Sequence, residues 1–250
     1  MKKCIAIVAG EPNSISSEII FKTWILRKKF KHIPFFIIGN IKILNKQKKH
    51  FNFNFRIKKI DLNFNYKSLL GNHLPVLNVD FKQKKTFNKI NKSSKTYIFN
   101  CFDLALHLIK KNKSIGLINC PISKEHLLNG KYKGITEYLS KKTQSNGNEV
   151  MLIYNSDFSV CPITTHVPIR KVSTFLTKKI ICKKIITINN FYINYLKIKP
   201  KIGILGLNPH SNSNDIFSEE KKIIIPAINL LNKKKIKIVG PLSPDTSFIF

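Results

Sequence analysis

Two histidines carry the most specific chemistry in the chain. His166 lies in Ile163-Thr164-Thr165-His166-Val167-Pro168, after a strand-like run at 160. His210 closes Leu207-Asn208-Pro209-His210, after a strand-like run at 201. Imidazole is a common ligand for Zn, Co, Ni or Fe at neutral pH. Two histidines at the same edge of one sheet could share an ion, although a tight site takes more than two ligands. The plainer alternative is that each is a loop histidine bonded to backbone. Other strand ends also carry polar groups: Gly10-Glu11-Pro12, Asn119-Cys120-Pro121 ahead of Lys124-Glu125, and the segment from Pro241 to Asp245.

These positions need a scaffold of alternating strands and helices. Strands are expected over Cys4–Ala9, Pro34–Ile38, Ile115–Cys120, Met151–Tyr154, Val160–Thr164, Lys201–Leu205 and Ile236–Val239. Each is a short apolar run, most of them closed by Gly, Pro or Asn. Helices are expected over Ser16–Lys29, Thr96–Lys111, Ser123–Asn129, Thr136–Lys142, Ile169–Ile181, Ile185–Leu196 and Glu219–Leu231. Residues 41–95, rich in Lys, Asn and Phe, read as irregular with short strands. Such alternation predicts an α/β fold with a largely parallel sheet, whose chemistry collects where strands end and helices begin.

Composition narrows the classes. The 250 residues are 43% hydrophobic, a globular balance with room for one or two domains. Lys+Arg is 44 against Asp+Glu 13, a formal net charge of +31. That excess suits an anionic partner. The basic residues are nearly all Lys and are scattered among many Asn, Ile and Phe, all encoded by A/T-rich codons. A solvated surface shaped by genome composition therefore competes with nucleic-acid binding, and no nucleic-acid motif frames the lysines. The five cysteines form no C-x-x-C pair and read as free thiols in a reducing, cytoplasmic compartment. No signal peptide is visible, and no apolar run is long enough to span a bilayer.

The order of motifs resembles one family. Gly10-Glu11-Pro12, Pro121-Ile122-Ser123-Lys124-Glu125, Gly134-Ile135-Thr136-Glu137, Thr164-Thr165-His166-Val167-Pro168, Gly206-Leu207-Asn208-Pro209-His210 and Gly240-Pro241-Leu242 follow one another as in the 4-hydroxythreonine-4-phosphate dehydrogenase family. The Thr-Thr-His and Leu-Asn-Pro-His blocks are specific, and the resemblance runs from the first strand to the last residue.

The resemblance implies a three-layer α/β/α fold, similar to isocitrate and isopropylmalate dehydrogenases, with two domains and a cleft between. It implies NAD-dependent oxidation and decarboxylation of 4-phosphooxy-L-threonine to 3-amino-2-oxopropyl phosphate, in pyridoxal phosphate biosynthesis. It also implies a homodimer with the active site at the interface, acting on this small phosphorylated hydroxy-amino acid without nucleic acid or membrane. His166 and His210 match two of three histidines that hold a divalent metal such as Zn, Mg or Co. Thr136 matches a substrate contact, and Ile135 stands where the family has a substrate-binding histidine. Lys124 and Asp245 match polar positions near the cleft and stand as catalytic candidates. No residue is assigned to NAD. Ser14 and Ser16 replace family glycines, which predicts a change in the shape of that turn. The third histidine belongs to a block absent from this chain, so a C-terminally truncated family member is expected. Its domains are placed at 1–122 and 123–250. Two alternatives stay open: a sister dehydrogenase acting on 4-phospho-threonate or -erythronate, and an inactive remnant.

Overall fold

A computed structural model describes residues 4–29, 33–128, 130, 132, 134–145, 147–211, 216 and 218–248. The chain forms two compact units, Met1–Tyr132 and Lys133–Phe250. They meet ten residues beyond the boundary read from the sequence, because the short helix after Pro121 packs with the first unit through its contacts with the helix before it.

The first unit is built on β1 (Ile5–Val8), α1 (Ser16–Leu26), β2 (Phe35–Gly39), α2 (Ile41–His50), β3 (Arg56–Ile60), β4 (His73–Asn78), α3 (Lys95–Lys110), β5 (Leu117–Asn119) and α4 (Lys124–Leu128). The strands make one five-stranded sheet, ordered β3-β4-β2-β1-β5, with every pairing parallel. All five residues of β2 are buried, as a central parallel strand covered on both faces requires. Alternate residues serve opposite faces. Ile7, Ala9, Phe35 and Ile37 join Ile20, Phe21 and Trp24 of α1 and Leu44 of α2 in one cluster. Helix α3 packs against β1 and β2, and its Ile98, Phe102 and Leu108 are fully buried.

The short strands expected in residues 41–95 form as β3 and β4, and one difference from the sequence reading lies there. Helix α2 forms where irregular chain is expected. Asn40 caps it, its side chain accepting from the Ile43 N–H at 3.1 Å, and Ile43, Leu44 and Gln47 face inward. The apolar stripe is only a few residues wide among lysines, so periodicity hides the helix while the cap declares it. Strand β4 runs between β2 and β3 despite Pro75, which lies opposite Lys58. Proline is rare in such a strand because it lacks a ladder donor.

The second unit comprises α5 (Ile135–Lys142), β6 (Ile153–Tyr154), β7 (Ser159–Val160), α6 (Val172–Phe175), α7 (Lys178–Phe191), β8 (Ile202–Leu205), α8 (Ile225–Lys233) and β9 (Ile238–Leu242). β6 and β7 pair antiparallel, and β8 and β9 pair parallel around the α8 crossover. Its core joins Ile181, Cys182 and Ile185 of α7 to Ala227, Ile228 and Leu231 of α8 and to Ile204 and Ile238 of the strands. The single helix expected over 169–181 is broken at Leu176-Thr177. Thr177 caps α7, its hydroxyl accepting from the Ile180 N–H at 3.2 Å, so the hydroxyl starts a new helix.

In the first unit the chain leaves β1 toward α1 and leaves β5 toward α4, which packs with α3 on the other side of the sheet. Adjacent strands whose exits diverge mark the crevice of an open α/β sheet. Here protein bonds stitch that crevice. Pro121 O accepts from the Glu11 N–H at 2.9 Å and from Ser16 Oγ at 3.1 Å. Gly10 makes the approach possible: its φ is +72°, and a Cβ there would lie 2.4 Å from Pro121 O. Gly10→Ala therefore combines a left-handed backbone with a main-chain clash. It is expected to cost about 1–3 kcal/mol or more of stability, read as a lower urea midpoint at unchanged slope.

Candidate functional site

The turn bearing His210 is dictated by its own sequence. Ser211 N–H donates to Asn208 O at 3.0 Å, closing a four-residue turn with Pro209 at the second position, where its fixed φ is favoured. Three further bonds tie this turn to the chain beyond β9. Gly206 N–H and Ser211 Oγ both donate to Leu242 O, at 2.9 and 2.5 Å, and Ser243 Oγ donates to Pro209 O at 2.8 Å. The parallel pairing of β8 and β9 thus sets the Asn-Pro-His turn beside the Pro241–Asp245 segment.

That placement joins two of the expected residues. His210 Nδ1 lies 3.2 Å from Asp245 Oδ2, and the His210 side chain is 85% exposed. The single Ser243 hydroxyl proton is shared between Pro209 O and the other Asp245 oxygen. This hydroxyl, ahead of the neighbouring imidazole, holds the exposed Asp245 carboxyl below its usual range. A carboxylate on one ring nitrogen fixes the ring and directs the second nitrogen outward, the arrangement common behind metal-bound histidines.

His166 stands apart from the expected picture. Strand β7 ends at Val160, so the histidine lies in irregular chain rather than directly after a strand. Its backbone is left-handed, φ +56°, a conformation in which histidine is enriched among non-glycine residues. The strands preceding the two histidines belong to different sheets, β6-β7 and β8-β9, not to one sheet edge. The side chain of His166 is exposed. Among the described residues, no group of three or more His, Cys, Asp or Glu side chains is arranged to hold a metal ion. His210 with Asp245 offers donors of the right chemistry for a divalent cation, but fewer than complete a site.

The remaining candidates are dispersed. Ile135 and Thr136 open α5, half-buried and exposed respectively. Lys124 opens α4 in the first unit and is exposed. Neither Ser14 nor Ser16 has positive φ, so the turn takes a backbone that serine adopts without strain. Their hydroxyls lie 2.8 Å apart, and Ser14 Oγ donates to Glu11 O at 2.8 Å.

Sequence reasoning missed Glu220. This side chain is 2% exposed. Its Oε1 accepts from the N–H groups of Leu207 and Asn208 at 2.8 and 3.0 Å, and its Oε2 from Asn208 Nδ2 at 3.1 Å. Burial by itself would raise its pKa. The hydrogen bonds from Asn208 and Leu207 outweigh that and hold the carboxyl below its usual value. The available signal was scarcity: only 13 acidic residues occur in the chain, and two of them, Glu219 and Glu220, open the segment before α8.

Comparison with known proteins bears on all of this. The chain matches the family described as Pyridoxal phosphate biosynthetic protein PdxA over residues 31–250. It is 36% identical over 250 residues to a 4-hydroxythreonine-4-phosphate dehydrogenase of Sulfurihydrogenibium sp., covering 98% of this chain and 75% of that protein. A D-threonate 4-phosphate dehydrogenase of Salmonella typhimurium is 28% identical over 255 residues, covering 99% of this chain and 76% of its own length. The crystal structure of a 4-hydroxythreonine-4-phosphate dehydrogenase from Klebsiella pneumoniae superposes with a TM-score of 0.87 at 26% identity, covering 99% of this chain and 77% of that one. The α/β architecture is thus the isocitrate dehydrogenase-like fold of these enzymes. A match over most of the chain, relatives aligned along nearly all of it and a shared fold make this protein a member of the PdxA dehydrogenase family.

Proposed function

We propose that the chain catalyses the NAD-dependent oxidation of 4-phosphooxy-L-threonine, followed by decarboxylation to 3-amino-2-oxopropyl phosphate, in pyridoxal phosphate biosynthesis. The observation that carries this reading is the His210–Asp245 pair at 3.2 Å, set at the end of β8 on the family's Leu-Asn-Pro-His turn. His210 and His166 would hold a divalent metal (Zn, Mg or Co), with further ligands from outside this set. When bound, the cation would lower the pKa of the substrate hydroxyl and stabilise the negative charge left by loss of carbon dioxide.

The chain's own groups then have distinct tasks. Asp245 orients the His210 ring, and Ser243 orients Asp245. Thr136, exposed at the start of α5, offers a hydroxyl to the substrate. Lys124 supplies a positive charge to the phosphate or a proton to the reacting centre, within an overall charge of +31 that attracts such an anion. NAD is the oxidant, and no residue is assigned to it. Five free thiols accord with a reducing, cytoplasmic setting. No helix among the described residues is long and apolar enough to cross a membrane. A homodimer is part of this reading, in keeping with Ile153, Tyr154 and Phe158, which lie exposed around the small β6-β7 sheet.

A second reading has two observations in its favour. Ile135 cannot donate or accept a hydrogen bond at the start of α5, and one relative is named a D-threonate 4-phosphate dehydrogenase. A sister substrate, the 4-phospho-threonate or -erythronate, carries a hydroxyl in place of the ammonium and so presents a different set of polar groups to a site with Ile135 at this position.

Two measurements test these readings, the first their shared metal dependence and the second the substrate. With 4-phosphooxy-threonine, NAD and a divalent metal, NADH formation should fall about 100-fold or more in His210→Ala and in His166→Ala. Equal turnover by parent and both variants would end the metal-dependent reading. On a substrate panel, Ile135→His should raise kcat/KM for 4-phosphooxy-threonine by about tenfold, the worth of one hydrogen bond to a charged group. If the parent instead prefers 4-phospho-threonate, the sister reading holds.

A further inference from the structure

We infer that Glu220 is a positioning residue that holds His210 in the orientation it needs to bind a metal ion. The inference rests on the metal reading of His210 given above.

Glu220 lies outside the quoted motif blocks, ten residues after His210, and its carboxylate contacts Leu207 and Asn208 rather than the imidazole. Its carboxylate lies beneath the loop and takes the main-chain donors of Leu207 and Asn208, the residues leading into the turn. With Asn208 Nδ2 it makes four contacts within hydrogen-bond distance, at 2.8 to 3.3 Å. These two main-chain N–H groups at the strand end are fixed in direction by the buried carboxylate, and a charge-assisted bond holds them more tightly than a neutral one.

Gly206 lets the carboxylate approach. A Cβ there would lie 3.1 Å from Glu220 Oε1 and 2.1 Å from Ser211 Oγ. Glu220 also starts a π-helical turn, Glu220–Ile224, that runs into α8. Such turns interrupt regular helix at an energetic cost and occur frequently at functional sites. Helix α8 is anchored in the core through Ala227 and Leu231, both 0% exposed. A rigid element thus carries one acid to the underside of the turn, while Asp245 holds the imidazole from the β9 side. With neither support, an imidazole so exposed would sample many rotamers, and metal binding would carry the entropy of ordering it.

The test uses the 250-residue protein and Co2+ alone, followed by calorimetry and by the visible absorption of the bound ion. Parent, His210→Ala, Glu220→Ala and Glu220→Gln are compared, with far-UV circular dichroism as the control for folding. Glu220→Ala should weaken Co2+ binding about 10- to 100-fold and shift the absorption bands. Glu220→Gln keeps one oxygen for the two N–H donors and should show a smaller loss in the same direction. It decides the matter if the alanine variant does not fold. A merely structural acid would lower the melting temperature and leave the affinity and bands of the folded protein unchanged. If both Glu220 variants bind within twofold of the parent while His210→Ala does not, the inference is wrong and the metal reading stands. If the parent does not bind Co2+, or His210→Ala binds as the parent does, the metal reading fails and this inference falls with it.

Discussion

In a chain carrying a net charge of +31, a buried carboxylate receiving main-chain N–H groups is the interaction around which the rest is arranged. Among the described residues it appears in each compact unit, joined by side-chain donors. Glu11, 1% exposed, follows β1 and accepts from Asn13 N–H at 3.1 Å and from Ser94 Oγ at 2.6 Å. Glu220 does the same for the turn after β8. In both places a parallel strand ends, its chain must turn, and donors that no ladder can use point inward. An ionised carboxylate accepts several such bonds at once, and charge-assisted bonds of this kind are stronger than neutral ones. The desolvation that burial exacts is offset only because those donors are fixed by the fold.

The consequence is a division of labour between turns and cores. The cores use ordinary apolar packing: Phe21, Phe36 and Phe102 in the first unit, Ile181 and Leu231 in the second, all at or near full burial. They set where strands and helices stand. The turns at strand ends then carry polar side chains whose directions depend on a few hydrogen bonds. His210 is the clearest case, since the turn, the Glu220 bonds beneath it and the Asp245 contact beside it each constrain a different part of the residue.

Legibility in the sequence followed the same division. Apolar runs such as Cys4–Ala9 and Pro34–Ile38 announced β1 and β2, because central parallel strands are apolar on both faces. The motif blocks announced the family, and the matches to relatives agree. Helix α2 escaped because its buried stripe is narrow, whereas the short strands expected in the same stretch are present as β3 and β4. The break at Thr177 escaped because an apolar pattern continues across it, although the capping hydroxyl was there to be read.

By itself the sequence determined most of the strand and helix alternation, the α/β class and the candidate residues, since these depend on local periodicity, turn chemistry and motif order. It also determined the Asn-Pro-His-Ser turn, which closes within four residues. Only the tertiary structure decided which distant groups meet. His210 and Asp245 are 35 positions apart and touch because β8 and β9 pair parallel around α8, with a bulge-like register shift between Gly203 and Leu205. Glu220 reaches Asn208 because the start of the α8 crossover packs under the strand end. Such contacts follow from sheet pairing and helix packing, which sum many weak interactions over the whole unit, and no local pattern in the chain encodes them.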